Sequence, residues 1–231
     1  MIREENNLLK YFSLDELNSI LKDTDVYNKA LRIVSVVFEN KTDKSNKPYI
    51  NHLLRVSDKL KSTVEKTAGL LHDIVEDTEV TFDDLIDMGF SNEIIDIIRL
   101  VTKDKIDDVS LSEEEKLKLY NDEIDKIISS QNMNAINVKY SDMSDNYNLD
   151  RLSELPPEKQ QWFHKKYKIQ LEKLRQAVKG KGRMLEVMNY MTFKYKTITN
   201  KYTKDLSEEE IKKRYELYKK YYYLTHSEEG E

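Results

Sequence analysis

The 231-residue chain contains no cysteine, which excludes disulfide staples, thiolate nucleophiles and thiolate metal ligands. Any metal would have to rest on nitrogen and oxygen donors, a set suited to Mn²⁺, Mg²⁺, Fe²⁺ or Zn²⁺. Glycine (5) and proline (3) are scarce, while 35% of residues are charged. So few breakers with so much charge favour long helices with solvated faces over strands and turns. No apolar run approaches the roughly 20 residues of a membrane helix. The opening Met1-Ile2-Arg3-Glu4-Glu5-Asn6 has no signal-peptide core. The expectation is therefore a soluble, cytoplasmic protein with no membrane partner. A net charge of −5 makes no global case for nucleic-acid binding. At 39% hydrophobic and 10% aromatic, the chain is too apolar to be wholly disordered. Its length suits one substantial domain with an extension, or two small domains.

Helical punctuation recurs along the chain. Ser13-Leu14-Asp15-Glu16 and Ser62-Thr63-Val64-Glu65 read as capping boxes, each opening a helix. Val26, Ala30, Val34, Val37 and Phe38 mark one apolar helical face, and Ile50, Leu53, Leu54, Val56 and Leu60 another. Thr81 starts a short helix ending at Gly89, Ser91 the next, and Ser112 one that runs to about Ile128. A helix is predicted from Asn134 to about Leu152, then one from Pro156-Pro157 to about Val178. No strand or internal repeat stands out in the first 178 residues. The predicted architecture is an all-α bundle over residues 1–178 with a helical extension over 179–231. The boundary falls at Gly180-Lys181-Gly182.

The most informative stretch is His72-Asp73-Ile74-Val75-Glu76-Asp77-Thr78, which follows the apolar Ala68-Gly69-Leu70-Leu71. His72 and Glu76 are four apart, as are Asp73 and Asp77, so on one helix these polar groups share a neighbourhood. Three carboxylates and an imidazole in so apolar a helix need a counter-charge, and a divalent metal supplies one economically. A second histidine, His52, lies on the preceding helix. Asp142 and Asp145 lie in Val138-Lys139-Tyr140-Ser141-Asp142-Met143-Ser144-Asp145-Asn146. Taken alone that segment reads as a solvated polar face, and spacing does not select Asp142.

Four blocks in order carry a resemblance. They are Pro48-Tyr49-Ile50-Asn51-His52, the stretch from Ala68 to Thr78, Val101-Thr102-Lys103, and the segment from Val138 to Asn146. Together they resemble the hydrolase domain of RelA/SpoT homologues, within the HD superfamily of metal-dependent phosphohydrolases. The compact length is most like the small alarmone hydrolases of the metazoan SpoT-homologue type. The resemblance covers roughly residues 25–175. It implies an HD-domain helical bundle that removes the 3′-pyrophosphate of (p)ppGpp, leaving GDP or GTP. It implies His52, His72, Asp73 and Asp142 as metal ligands, usually to Mn²⁺. Glu76 and Asp77 match the acidic pair that positions or deprotonates the attacking water. Asn146, Tyr167 and Tyr49 match positions on the nucleotide side of the pocket.

The chain departs from that family in the loop before Pro48. Where the family has an arginine that packs on the purine, this sequence has Lys41, which keeps the charge without the flat stacking surface. Base preference is therefore open between guanine, as in (p)ppGpp, adenine, as in ppApp, and looser nucleotide recognition. Lys44 and Lys47 read as solvated loop lysines. His164 and His226 read as surface residues, and Trp162 and Phe163 as core or pocket wall. In the extension, seven Lys/Arg between Lys179 and Lys204 stand against the single Glu186, interleaved with Tyr190, Phe193, Tyr195 and Tyr202. The reading is an amphipathic helical hairpin that packs on the catalytic domain or on a second copy, giving a homo-oligomer. Two other functions stay open. One is hydrolysis of ppApp or of a 3′-pyrophosphorylated tRNA, as antitoxin to a small synthetase-like toxin partner. The other is a non-catalytic nucleotide-binding module, which the intact set of acidic residues argues against.

Overall fold

The computed structural model describes residues 2–103, 111–198 and 206–216, with side chains at all of these except 149, 150 and 181–198. Among the described residues the regular elements are helical, apart from a lone antiparallel bridge between Thr42 and Pro48. After a 3-10 turn at Asn7–Lys10 come α1 (Leu14–Leu21), α2 (Val26–Val37), α3 (Ile50–Asp58) and α4 (Thr63–Leu71). Next are α5 (Ile74–Asp77), α6 (Phe82–Asp87), α7 (Asn92–Val101) and α8 (Glu113–Ser129). The set continues with α9 (Met133–Asn146), α10 (Leu149–Ser153) and α11 (Pro157–Ile198). The chain forms two compact units, Met1–Val178 and Lys179–Glu231.

Local chemistry sets most helix starts. Ser13, Ser62, Thr81 and Ser112 each accept the third backbone N–H of their helix, while an acidic side chain three residues on reaches back to the cap. Gly89, at φ +76°, takes the left-handed conformation that ends the short turn after α6.

Helix α4 is the hub of the first unit. It packs against α2, α3, α7 and α9, and Ala68, Gly69, Leu70 and Leu71 are all buried. Burying Leu70 and Leu71 contributes about 1.5–3 kcal/mol each. Gly69 allows α3 to come close. A Cβ there would lie 2.7 Å from the Leu60 side chain and 3.3 Å from Ser57 Cα. This packing carries His52 on α3, His72 at the end of α4 and Asp142 on α9 to one place.

The structure differs from sequence expectation at three helix boundaries. The stretch after Leu71 is not one continuous helix. His72 closes α4, and Asp73 (φ −100°, ψ −2°) starts the single turn α5. The predicted helix over Asn134 to Leu152 stops at Asn146. Tyr147 caps it, and Asn148 opens α10 by accepting the Arg151 N–H at its side chain (3.4 Å). Helix α11 does not end near Val178 but continues through Gly180 to Ile198. Gly180 and Gly182 each cost a helix only about 1 kcal/mol, and most residues around them are helix formers.

In the second unit, the helix over 208–216 starts after Ser207, which shares a capping box with Glu210, and it buries Ile211 and Tyr215. The stripe Met184, Met188, Met191, Tyr195 and Ile198 lies outside the described side chains. Tyr202, Tyr218, Tyr222 and His226 lie outside the described residues.

Candidate metal centre

The two histidines are held in the same way. His72 Nδ1 donates to the Gly69 carbonyl oxygen at 2.8 Å, one turn back along α4. A carbonyl only accepts, so Nδ1 carries a proton and Nε2 is the nitrogen that faces inward. His52, in the first turn of α3, places Nδ1 2.8 Å from Asp145 Oδ2 and turns its Nε2 toward the same point. Asp73 Oδ2 lies 2.9 Å from His72 Nε2 and 3.7 Å from His52 Nε2. Asp142 Oδ1 lies 3.5 Å from His52 Nε2 and 3.7 Å from His72 Nε2. His72 Nε2 is buried and makes no hydrogen bond, despite the nearby Asp73 oxygen. His52, His72 and Asp73 each offer a donor atom within 4.8 Å of the others, a grouping that can hold a metal ion. An orphaned, buried imidazole nitrogen among carboxylate oxygens fits a divalent cation, and imidazole nitrogens with carboxylate oxygens suit first-row metals.

The protein supplies an outer layer to these donors. Tyr49 Oη donates to Asp73 Oδ2 at 2.5 Å, and Asn146 Nδ2 donates to Asp142 Oδ1 at 2.5 Å. Lys139 Nζ sits 3.2 Å from Asp142 Oδ2. Asp145, behind His52, is itself gripped by Arg55 at 2.8 and 3.0 Å and by Arg151, which also reaches Asp43 at 2.8 Å. Outer-layer partners of this kind fix ring orientation and raise ligand basicity.

The electrostatics follow from this crowding. Burial alone would raise Asp142, but Lys139 and the two histidines hold it well below the usual carboxylate range. Burial would likewise raise Asp73, and His72 with His52 lowers it instead. Burial would lower His72, yet Asp73 and Asp142 overturn that and raise it. Burial and the Asp73 carboxylate push the Tyr49 phenol far up, so it stays a hydrogen-bond donor.

Above the cluster opens a cleft of about 320 Å³. Tyr49, His52, Asp73 and Asp142 form its floor, with His72 buried just beneath. Glu76 and Asp77 stand on one wall. Glu76 pairs with Lys103 Nζ at 2.6 Å, and Asp77 with Lys41 Nζ at 2.8 Å. Lys41 also sits over the stacked rings of Phe38 and Tyr49. Tyr167 lines the opposite wall, stacked on Phe163 with ring centroids 5.5 Å apart. Every candidate site residue read from the sequence thus lies in the cleft or directly under it. Trp162 is half-buried and Phe163 buried at that wall.

Lys44 is not the purely solvated lysine expected. It lines the cleft with its Nζ 4.4 Å above the Phe163 ring, whereas Lys47 is exposed and pairs with Glu154 at 2.7 Å. His164 is exposed, as expected, and meets the Tyr147 hydroxyl. Sequence reading missed the roles of Asp145, Arg55, Arg151, Lys139 and Lys166. A signal existed on α3, where His52, Arg55 and Lys59 share one helical face and all three reach Asp145.

The all-helical bundle thus gathers His52, the adjacent pair His72 and Asp73, and Asp142 from a distant helix into one cluster. Comparison with known proteins finds similar chains. The chain is 34% identical over 87 residues to the guanosine-3′,5′-bis(diphosphate) 3′-pyrophosphohydrolase MESH1 of Drosophila melanogaster, covering 35% of this chain and 46% of that protein. It is 33% identical over 146 residues to a probable guanosine-3′,5′-bis(diphosphate) 3′-pyrophosphohydrolase of Mycoplasma genitalium, covering 60% of this chain and 20% of that one. The chain therefore spans less than half the length of these curated relatives. A solved structure described as a metazoan ortholog of SpoT that hydrolyzes ppGpp shares the fold. Its TM-score is 0.50 at 23% identity, over 66% of this chain and 94% of that one. No protein-family model matches.

Proposed function

We propose that this protein is a metal-dependent phosphohydrolase that removes the 3′-pyrophosphate of (p)ppGpp, leaving GDP or GTP. The observation that carries the reading is the unpartnered Nε2 of buried His72, aimed with His52, Asp73 and Asp142 at one point on the cleft floor. Relatives named as 3′-pyrophosphohydrolases support the same substrate.

In this reading His52, His72, Asp73 and Asp142 hold the ion, for which Mn²⁺ is the proposed identity and the cytoplasm the proposed setting. When bound, such an ion supplies Lewis acidity, lowering the pKa of a water and offsetting charge on phosphoryl oxygens. The chain's own residues do the rest. Tyr49 and Asn146 hold the two carboxylates in place from the cleft side. Glu76 orients a water and takes its proton, with Lys103 holding the Glu76 carboxylate in place. Asp77 is anchored on Lys41 at the edge where the nucleoside would lie. The water oxygen bonds to the phosphorus next to the 3′-oxygen. The P–O3′ bond breaks, pyrophosphate departs carrying the water oxygen, and the 3′-oxygen becomes the hydroxyl of GDP or GTP by taking a proton from the surrounding water, to which Glu76 returns the one it accepted. Tyr167, on the Phe163 stack, forms the wall for the sugar and base.

The test is full-length protein with Mn²⁺ and ppGpp, followed by ³¹P NMR. Pyrophosphate and GDP are the expected products, and Asp73→Ala abolishes them. Intact ppGpp after incubation with metal-loaded protein would overturn the reading.

A further inference from the structure

The cations of the cleft are not equivalent. Lys41 is committed to Asp77, Lys103 to Glu76, Lys139 to Asp142, and Arg151 to Asp43 and Asp145. Among the described residues Lys44 and Lys166 have no carboxylate partner within ion-pair distance, though both line the same cleft. They approach from different elements, the 39–48 loop and α11, and meet one aromatic wall. Lys44 Nζ lies 4.4 Å above the Phe163 ring, and Lys166 Nζ lies 4.3 Å from the Tyr120 centroid and 5.4 Å from that of Tyr167. Phe163, Tyr167 and Tyr120 pack on one another.

Folding gains little from such an arrangement. Burial and the neighbouring Lys103 lower the pKa of Lys44. Burial, Lys103, Lys44 and Lys139 lower Lys166 to about 8. Glu123 makes no ion pair with either lysine; burial raises its pKa, and its Oε2 has no hydrogen-bond partner among the described residues. Among the described residues these two ammonium groups are held close to other cations with no ion-pair partner, and only the Asp142 carboxylate, beyond ion-pair distance, acts to offset them. A multiply charged phosphate group supplies the negative charge they lack.

We infer that Lys44 and Lys166 form a second anion subsite, which binds the terminal 5′-diphosphate or 5′-triphosphate of the substrate while the scissile 3′-group lies over the metal centre. This rests on the proposed nucleotide reading of the cleft and sharpens it. The enzyme selects a free nucleotide that is multiply phosphorylated at both ends of its ribose. The 3′ end of an RNA offers only a singly charged phosphodiester at the 5′ position, so the subsite disfavours it.

The test compares two substrates with the same 3′-diphosphate, one carrying a 5′-diphosphate and the other a 5′-monophosphate. The protein is wild type, the pair Lys44→Met with Lys166→Met, and the pair Lys44→Arg with Lys166→Arg. Methionine keeps the packing of the stems on the rings and removes the charge. Wild type should favour the 5′-diphosphate in kcat/KM by about tenfold or more, the range of one or two charge-assisted contacts. The methionine pair should lose that preference, and the arginine pair should keep it. Equal kcat/KM for both substrates in wild type, or a preference unchanged in the methionine pair, overturns the inference.

A second arm does not depend on turnover. With chelated, metal-free protein, GDP should bind about tenfold tighter than GMP to wild type and no tighter to the methionine pair. If wild type hydrolyses none of the 3′-diphosphates, the functional reading fails, and this binding comparison still decides the subsite.

Discussion

Asp145→Asn is the most informative single change at the cluster, because Asp145 touches no cleft space and acts only through others. Its side chain is 2% exposed and accepts from His52 Nδ1, Arg55 and Arg151, with Lys59 Nζ at 3.5 Å. The amide keeps the volume and one acceptor but removes the negative charge and turns an N–H₂ toward a cation. Two effects should follow. His52 loses the carboxylate that makes its Nε2 a stronger donor, and loss of such an outer partner weakens metal binding by roughly 10–100-fold. The arginines also lose their shared anion. Breaking a fully buried ion pair costs about 3–5 kcal/mol. Here Arg55 and Lys59 are 38% and 43% exposed, and Arg151 retains Asp43. Solvent screening and that second partner reduce the expected loss to about 2 kcal/mol. Mn²⁺ titration by calorimetry and urea unfolding of the metal-free protein separate the two. A variant that loses stability but binds Mn²⁺ as tightly as wild type, within twofold, refutes the positioning role. One that loses neither refutes the network.

Three further outcomes follow from the same geometry. Gly69→Ala should destabilise the protein by about 1–3 kcal/mol in urea, because its Cβ meets Leu60 at 2.7 Å and the Ser57 backbone at 3.3 Å; an unchanged midpoint would mean that α3 and α4 separate freely. Adding Mn²⁺ at about a hundred times its Kd should raise stability by about 2.7 kcal/mol, read as a higher Tm, and the same shift in His72→Ala would show binding elsewhere. Lys166 has a folded pKa near 8 against 10.5 for a free lysine, so its burial penalty is complete below pH 8 and is relieved as pH rises toward 10.5. Lys166→Met should therefore be more stable than wild type at pH 7, by up to about 3 kcal/mol, with the gap closing between pH 8 and 10.5; a gap that is constant with pH would place the effect in packing.

What was legible in the sequence divides along the range of the interactions. Helix starts at Ser13, Ser62, Thr81 and Ser112 depend on side chains three residues apart, and the sequence displays them directly. The all-α class follows from the same local signals together with the scarcity of glycine and proline. The breaks at His72-Asp73 and Tyr147-Asn148 were not legible, because the polar and apolar spacing continues across them. They arise from how α5 and α10 must turn to keep Asp73 and Arg151 at the cluster.

Asp145 shows the limit most clearly. On α9 alone it belongs to a polar stripe with Asp142 and Asn146, and a solvated face is the economical reading of such a stripe. Its burial is decided by α3, about 90 residues earlier, whose His52, Arg55 and Lys59 form the complementary face. A carboxylate stripe and a basic stripe on separate helices are each ordinary surface features. Joined at a buried contact they become costly to hold without a function, since an apolar pair of equal volume would pack as well. The pair is explained by the imidazole placed between it and the proposed metal site: Asp145 orients His52, and the arginines keep Asp145 ionised while it does so.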